Sequence, residues 1–313
     1  MARKVIIDCD PGIDDAAVLC MSLFDPRVEV VAVTAVAGNV SPEQAGRNVQ
    51  AIIDQLDPPR FPRVGAATEV EEAPAVDGTT LHGRDGLGNA GFSVSQLHHQ
   101  HPSDKIICDE VRAAEDEVTI LCLGPLTNVA RALKRDPELG TLISRIVICG
   151  GSVSVGGNVT PAAEFNMYCD PVSARSVFRS GTTKTLIPLD ATREVALNFD
   201  TIDELPEETT RAGALLRKIL PFAFRAHHQT LGQESIRLHA AVAYFSIVQP
   251  ELFQAEQMAG DVEIRGDLTK GATVFDRRIK TLWMPNMDVV TEIDAVAVTD
   301  CIKRALTDCG RRT

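Results

Sequence analysis

No stretch of the chain approaches the ~18 to 20 consecutive apolar residues that a membrane span requires. The opening Met1-Ala2-Arg3-Lys4-Val5-Ile6-Ile7 starts like a targeting signal, but Asp8 and Asp10 end its apolar run too early. A soluble, cytoplasmic protein is therefore expected. Cys-x-x-Cys pairs are also missing. None of the eight cysteines (Cys9, Cys20, Cys108, Cys122, Cys149, Cys169, Cys301, Cys309) has that spacing, which removes the usual signal for zinc or thioredoxin-type chemistry. Several lie in apolar runs such as Ile120-Leu121-Cys122-Leu123, where reduced, buried thiols are expected. Positive charge is scarce: 31 Lys and Arg face 43 Asp and Glu, a net charge of -12. Nucleic-acid polymers and anionic membranes both demand basic patches, so neither is an expected partner. No Gly/Ser-rich linker, charge block or internal repeat divides the 313 residues, so residues 1–313 read as one domain. At 44% hydrophobic residues, the chain has material for a large core.

What is present alternates between strand and helix patterns. Val5–Cys9 is a short continuous apolar run, as expected of a strand buried on both faces. Asp14 to Phe24 reads as a helix, and Val28–Val36 as a second strand. Ser41-Pro42-Glu43-Gln44 opens a helix, with Ser41 as N-cap, Pro42 at the first helical position and Gln44 completing a capping box. Val118–Leu123, Arg145–Cys149 and Lys184–Leu189 read as further strands, with helices near Leu126 to Lys134 and Pro171 to Arg179. This rhythm predicts an α/β fold, a single domain with a mostly parallel, doubly wound central sheet. Ligands bind beyond the carboxyl ends of such strands. Four polar segments fall there: Asp8 to Asp15, Gly38-Asn39, Gly124 to Asn128, and Gly150 to Asn166.

The first of these carries the chemistry. Asp8, Asp10, Asp14 and Asp15 put four carboxylates within eight residues directly after a buried strand. Unpaired, they would repel and some would take up protons. A hard divalent cation relieves that repulsion, because calcium and magnesium take carboxylate and carbonyl oxygens. Pro11-Gly12 supplies the turn, and the helix start that follows favours negative charge.

Asp8-Cys9-Asp10-Pro11-Gly12-Ile13-Asp14-Asp15 resembles the signature of the inosine–uridine-preferring nucleoside hydrolase family. The likeness continues in order along the chain. It takes in Thr34 to Val40, His82-Gly83-Arg84-Asp85-Gly86-Leu87-Gly88, Leu123 to Asn128, Gly157 to Pro161 with Ala163 to Asn166, Thr269 to Val274, and Pro285-Asn286. The resemblance implies hydrolysis of the N-glycosidic bond of ribonucleosides, with Ca2+ as cofactor and Asp10 activating a calcium-bound water. It implies Asp10, Asp15 and the Thr127 carbonyl as metal ligands. Asp14, Asn158, Glu164 and Asn166 are implied as ribose binders, with Asn39 and His82 close by and His239 as the residue that helps protonate the departing base. It also implies a homodimer or homotetramer acting in nucleoside salvage or catabolism.

One position departs from the family pattern. A metal-ligating Asp should follow His239, and Ala240 stands there. Calcium affinity depends on ligand charge count. Three readings follow: weakened calcium binding, a natural loss of activity, or an engineered substitution. A protein that binds nucleoside or ribose without turnover is therefore a rival reading, and a haloacid-dehalogenase-type phosphatase is a more distant one, since Gly12 stands where its Thr or Val belongs. His98, His99 and His101 read as a solvated loop, whereas His227 or His228 falls where a lid would cover the base. Trp283, the single tryptophan, lies outside that lid, and His239 suggests the nonspecific or inosine/uridine-type subgroup.

Overall fold

The computed structural model describes residues 2–69, 76–94, 101–280 and 282–310. The chain begins β1 (Arg3–Cys9), α1 (Ile13–Ser22), β2 (Val28–Ala35), α2 (Pro42–Leu56), β3 (Arg63–Ala66), α3 (Thr79–His82), β4 (His101–Pro102) and α4 (Ser103–Ala113). It continues through β5 (Val118–Cys122), α5 (Thr127–Arg135), α6 (Leu139–Leu142), β6 (Arg145–Cys149), α7 (Phe165–Cys169), α8 (Pro171–Phe178), β7 (Lys184–Ile187) and α9 (Leu189–Thr192). The last third holds β8 (Leu197–Asn198), α10 (Arg211–Leu231), β9 (Ser235–Ile236), α11 (His239–Val248), β10 (Phe253–Met258), β11 (Gly260–Val262), β12 (Thr273–Phe275), β13 (Met287–Ile293) and α12 (Ala295–Asp308).

Nine strands form one sheet in the order β10-β13-β7-β6-β5-β1-β2-β3-β4. Every neighbouring pair is parallel except β10 and β13. Alternation along the central strands feeds two separate cores. Val5, Ile7, Leu121 and Val147 point into one core with α1, α2, α10, α11 and α12. Ile6, Ile120, Ile146 and Ile148 point into the other with α4, α5 and α8. The sheet is thus doubly wound, as its continuous apolar strands predict. The chain proceeds outward from β1 through β2, β3 and β4, then returns to β5 on the opposite side of β1. The strand order therefore reverses between β1 and β5, and the loops leaving their carboxyl ends part to open a crevice.

Several local expectations are refined. Ser41 caps α2 by accepting from the Gln44 N–H, but the Gln44 side chain turns along the helix to Asn48 instead of closing the box. The strand read as Lys184–Leu189 stops at Ile187, because Pro188 starts the short α9 turn. All eight cysteines are buried. His101 forms the edge strand β4, while His98 and His99 lie outside the described residues. Among the described residues, no helix is long and apolar enough to cross a membrane.

Two buried asparagines stitch the strand ends at the crevice. Asn128 Nδ2 donates to Asp8 Oδ1 at 2.7 Å and to the Ala35 carbonyl at 2.8 Å, joining β1, β2 and α5. Asn166 Nδ2 does the same for the Leu123 and Cys149 carbonyls at 2.7 and 3.0 Å, joining the ends of β5 and β6. Asp8 also accepts from Thr34 Oγ1, and burial pushes its carboxyl up to about 7. Asn128→Ala leaves buried acceptors without their donor, at a cost of about 2–3 kcal/mol. A urea melt will show a lower midpoint with an unchanged slope.

Candidate active site

Asp10 leaves the end of β1 and is 2% exposed. Its Oδ2 accepts from the Asn39 backbone N–H at 2.8 Å, and Asn39 Nδ2 donates to the Asp10 carbonyl at 2.9 Å. Asn39 therefore grips Asp10 at two points. Two glycines give this carboxylate its space. A Cβ on Gly38 would fall 2.1 Å from Asp10 Oδ2, and one on Gly124 would fall 2.7 Å from Oδ1. Asp15 sits in the first turn of α1, where its Oδ2 accepts from the Gly12 N–H at 2.9 Å. Its Oδ1 is buried with no hydrogen-bond partner among the described residues. Burial drives both carboxyls well above the usual carboxylate range, Asp10 further through Asp15 and Asp15 further through Asp14. Thr127 opens α5 across the crevice, with its hydroxyl donating to Asp170 Oδ2 at 2.7 Å. Asp170 in turn caps α8 through the Ser173 N–H.

The expected sugar binders divide their polar atoms between scaffold and crevice. Glu164 Oε2 accepts from the N–H groups of Gly151 and Met167, and burial raises its carboxyl. Asn158 Oδ1 accepts from the Phe165 N–H at 2.9 Å. Asn166 commits its Nδ2 to the strand ends. Each is thus fixed through one polar atom. The C-terminal matching segments serve as scaffold: Thr273 exchanges hydrogen bonds with both backbone groups of Ser152, and Asn286 ties Gly260 to Phe178.

Three imidazoles from different elements feel the charge of the half-buried Asp14: His82 on α3, His227 on α10 and His239 on α11. His82 Nδ1 accepts from the Ile13 N–H at 3.0 Å and so completes the start of α1. His227 rather than His228 belongs to this group, since His228 is solvent-facing beside Glu234. Trp283 lines a different hollow, with Glu256, Arg277 and Arg278. Ala240, beside His239, is 2% exposed and presents only a methyl group.

A fifth segment, absent from the sequence reading, also reaches the crevice. It runs from Pro188 to Arg193 after β7. Asp190 accepts from the Val153 and Ser154 N–H groups, Arg193 donates to the Val155 and Gly157 carbonyls, and Thr192 Oγ1 lies 2.8 Å from His239 Nδ1. The signal was available: Pro188-Leu189-Asp190-Ala191-Thr192 follows the carboxyl end of a buried strand, as the other four segments do.

Two outcomes follow from this geometry. Gly38→Ala displaces the Asp10 carboxylate, and kcat/KM should fall at least ~10-fold while far-UV dichroism stays unchanged. Burial lowers the His239 imidazole from 6.5 to about 4. Above pH ~6.5 the ring is neutral in both folded and unfolded chains, so it has no effect on stability. As pH falls through that value the unfolded chain takes the proton first, and the native state loses up to about 1.4 kcal/mol per pH unit until the folded ring also protonates. His239→Gln removes this component, and urea melts of both proteins between those pH values will show the smaller acid loss in the variant.

Comparison with known proteins points to one family. Residues 5–300 match the family model described as inosine-uridine preferring nucleoside hydrolase. The pyrimidine-specific ribonucleoside hydrolase RihA of Salmonella choleraesuis (strain SC-B67) is 34% identical over 308 residues, covering 98% of this chain and 99% of its own. A purine-preferring ribonucleoside hydrolase from Gardnerella vaginalis superposes with a TM-score of 0.91 at 27% identity, covering 99% of this chain and 100% of its own. A plant nucleoside hydrolase gives a TM-score of 0.90 at 30% identity, covering 98% of this chain and 99% of its own. The match spans the whole sheet and every segment that meets at the crevice, and on that ground the chain belongs to the inosine-uridine preferring nucleoside hydrolases, a family of glycosidases.

Proposed function

We propose that this chain hydrolyses ribonucleosides to ribose and free base, with calcium as its cofactor and Asp10 as the group that takes a proton from the attacking water. The observation that carries this reading is the packing of Asp10 and Asp15, both buried, beside Asp14 at the end of β1, with Asp15 Oδ1 lacking any partner among the described residues. The donors on offer are hard oxygens: the two carboxylates and the Thr127 carbonyl, a set that suits calcium. Among the described residues, no three His, Cys, Asp or Glu side chains form a metal cage. The residues present fit a cation held by a reduced protein shell, with the sugar diol supplying further oxygens. When bound, such an ion neutralises the paired carboxylates and acidifies a neighbouring water.

The side chains divide the remaining work. Asn39 holds Asp10 in the orientation from which it accepts the water's proton. Asp14, Asn158, Glu164 and Asn166 take the ribose hydroxyls with the polar atoms their scaffold bonds leave over. The negative charge available from Asp14 and Glu164 favours the oxocarbenium-like centre that forms as the bond breaks. His239, with His82 and His227 near Asp14, faces the base and gives a proton to it. The Salmonella relative's specificity makes pyrimidine nucleosides the first substrates to test. Assembly into a homodimer or homotetramer belongs to the same reading, and the exposed apolar side chains of Leu268, Ile279, Leu282 and Met284 are suited to it. A second reading, a nucleoside- or ribose-binding protein without turnover, rests on the buried methyl of Ala240.

The test is ribose release from uridine and inosine in millimolar calcium. Turnover should appear, vanish on chelation and vanish in Asp10→Asn. Ala240→Asp should bind calcium at least ~10-fold more tightly and raise kcat. Saturable nucleoside binding without ribose release over hours supports the second reading, and an unchanged calcium affinity in Ala240→Asp removes position 240 from the metal shell.

A further inference from the structure

The contact between Thr192 and His239 joins α9 to the first residue of α11, and it bears on the reaction itself. Thr192 is 1% exposed, and its hydroxyl lies 2.8 Å from His239 Nδ1. The backbone around it is fixed. Leu189 N–H donates to the Gly151 carbonyl at 2.9 Å, and the N–H groups of Ala191 and Thr192 both donate to the Pro188 carbonyl at 3.0 Å. These last two bonds decide where the hydroxyl proton goes. A helical threonine commonly donates to the carbonyl four residues back, here Pro188. That carbonyl has two lone pairs and already accepts two N–H groups. The Thr192 proton is thereby directed to His239 Nδ1. A neutral imidazole carries one proton, so a donor at Nδ1 places it on Nε2. Nε2 has no hydrogen-bond partner among the described residues, and the half-buried ring feels Asp14.

We propose that Thr192 is a positioning residue for leaving-group protonation, its hydroxyl holding the His239 ring so that Nε2 faces the departing base. This rests on the reading of His239 as the proton donor to the base. A hydroxyl suits both states of the cycle. It donates to Nδ1 when the ring is neutral and accepts from Nδ1–H when the ring is an imidazolium. The ring, neutral at rest, first draws a proton from solvent; as the glycosidic bond breaks, its electron pair stays with the base nitrogen and the Nε2 proton of this imidazolium passes to the base. The ring is left neutral, with Thr192 donating to Nδ1 again. Water supplies hydroxide to the anomeric carbon, and its second proton goes to Asp10 and then to solvent, replacing the proton the ring drew. Atoms and charge balance over the turnover.

The test compares two substrates on three variants. Uridine leaves poorly and needs a proton; 4-nitrophenyl riboside leaves as a stable phenolate and does not. In Thr192→Val, an isosteric change, kcat for uridine should fall about 10-fold or more while its KM moves less than ~3-fold. The nitrophenyl riboside should keep its kcat within ~3-fold, and Thr192→Ser should restore uridine turnover. His239→Ala should show the same selectivity, more strongly. Equal losses on both substrates in Thr192→Val, or full uridine turnover in it beside a selective His239→Ala, overturns the role of Thr192. Equal losses in His239→Ala overturn the reading of His239 and the inference with it. Nitrogen-15 NMR of the histidine rings in the unaltered protein reads the tautomer directly and is independent of how the variants fold: Nε2–H is expected at His239, and Nδ1–H contradicts the proposal.

Discussion

The burial of two neighbouring carboxylates, Asp10 and Asp15, is the constraint around which the crevice is built. Each is removed from water and repelled by a neighbouring acid, which an isolated protein chain has no reason to tolerate. The surroundings hold them in place. Asn39 takes Asp10 at two points, the missing side chains of Gly38 and Gly124 give its carboxylate room, and the Gly12 N–H fixes one oxygen of Asp15. A site so preorganised and so short of compensating charge is shaped for a positive centre. The proposed cation and an oxocarbenium-like sugar would both answer that description.

The fold delivers this arrangement through topology. Because the strand order reverses between β1 and β5, the loops bearing Asp10 and Thr127 diverge around a crevice instead of packing together. Asn128 and Asn166 secure the parting strand ends. One edge of the crevice draws histidines from α3, α10 and α11 toward Asp14, with His82 more than a hundred residues from His227 and His239. Ala240, a buried methyl where the family resemblance led us to expect an acid, adjoins His239, the proposed proton donor.

Much of this was legible in the sequence, for physical reasons. Strands buried on both faces produce apolar runs such as Ile120-Leu121-Cys122-Leu123, and the rule that ligands lie at strand carboxyl ends located four of the five segments. The acid cluster was visible because its charges are contiguous. Less visible were contacts made across the fold. No local pattern reveals that Asn39 clamps Asp10, that Thr127 leans on Asp170, or that Thr192 meets His239. The strands β3, β4, β10 and β13 were also missed. They are edge or near-edge elements whose half-exposed faces, as in Phe253–Met258, lack a continuous apolar run.

The most direct test of the central claim is diffraction from crystals soaked in calcium and ribose. The account predicts a cation bridging the Asp10 and Asp15 carboxylates and the Thr127 carbonyl, with the sugar's vicinal hydroxyls turned toward it. Well-ordered carboxylates with no ion between them at millimolar calcium, or an ion bound elsewhere while ribose occupies the crevice, would contradict it.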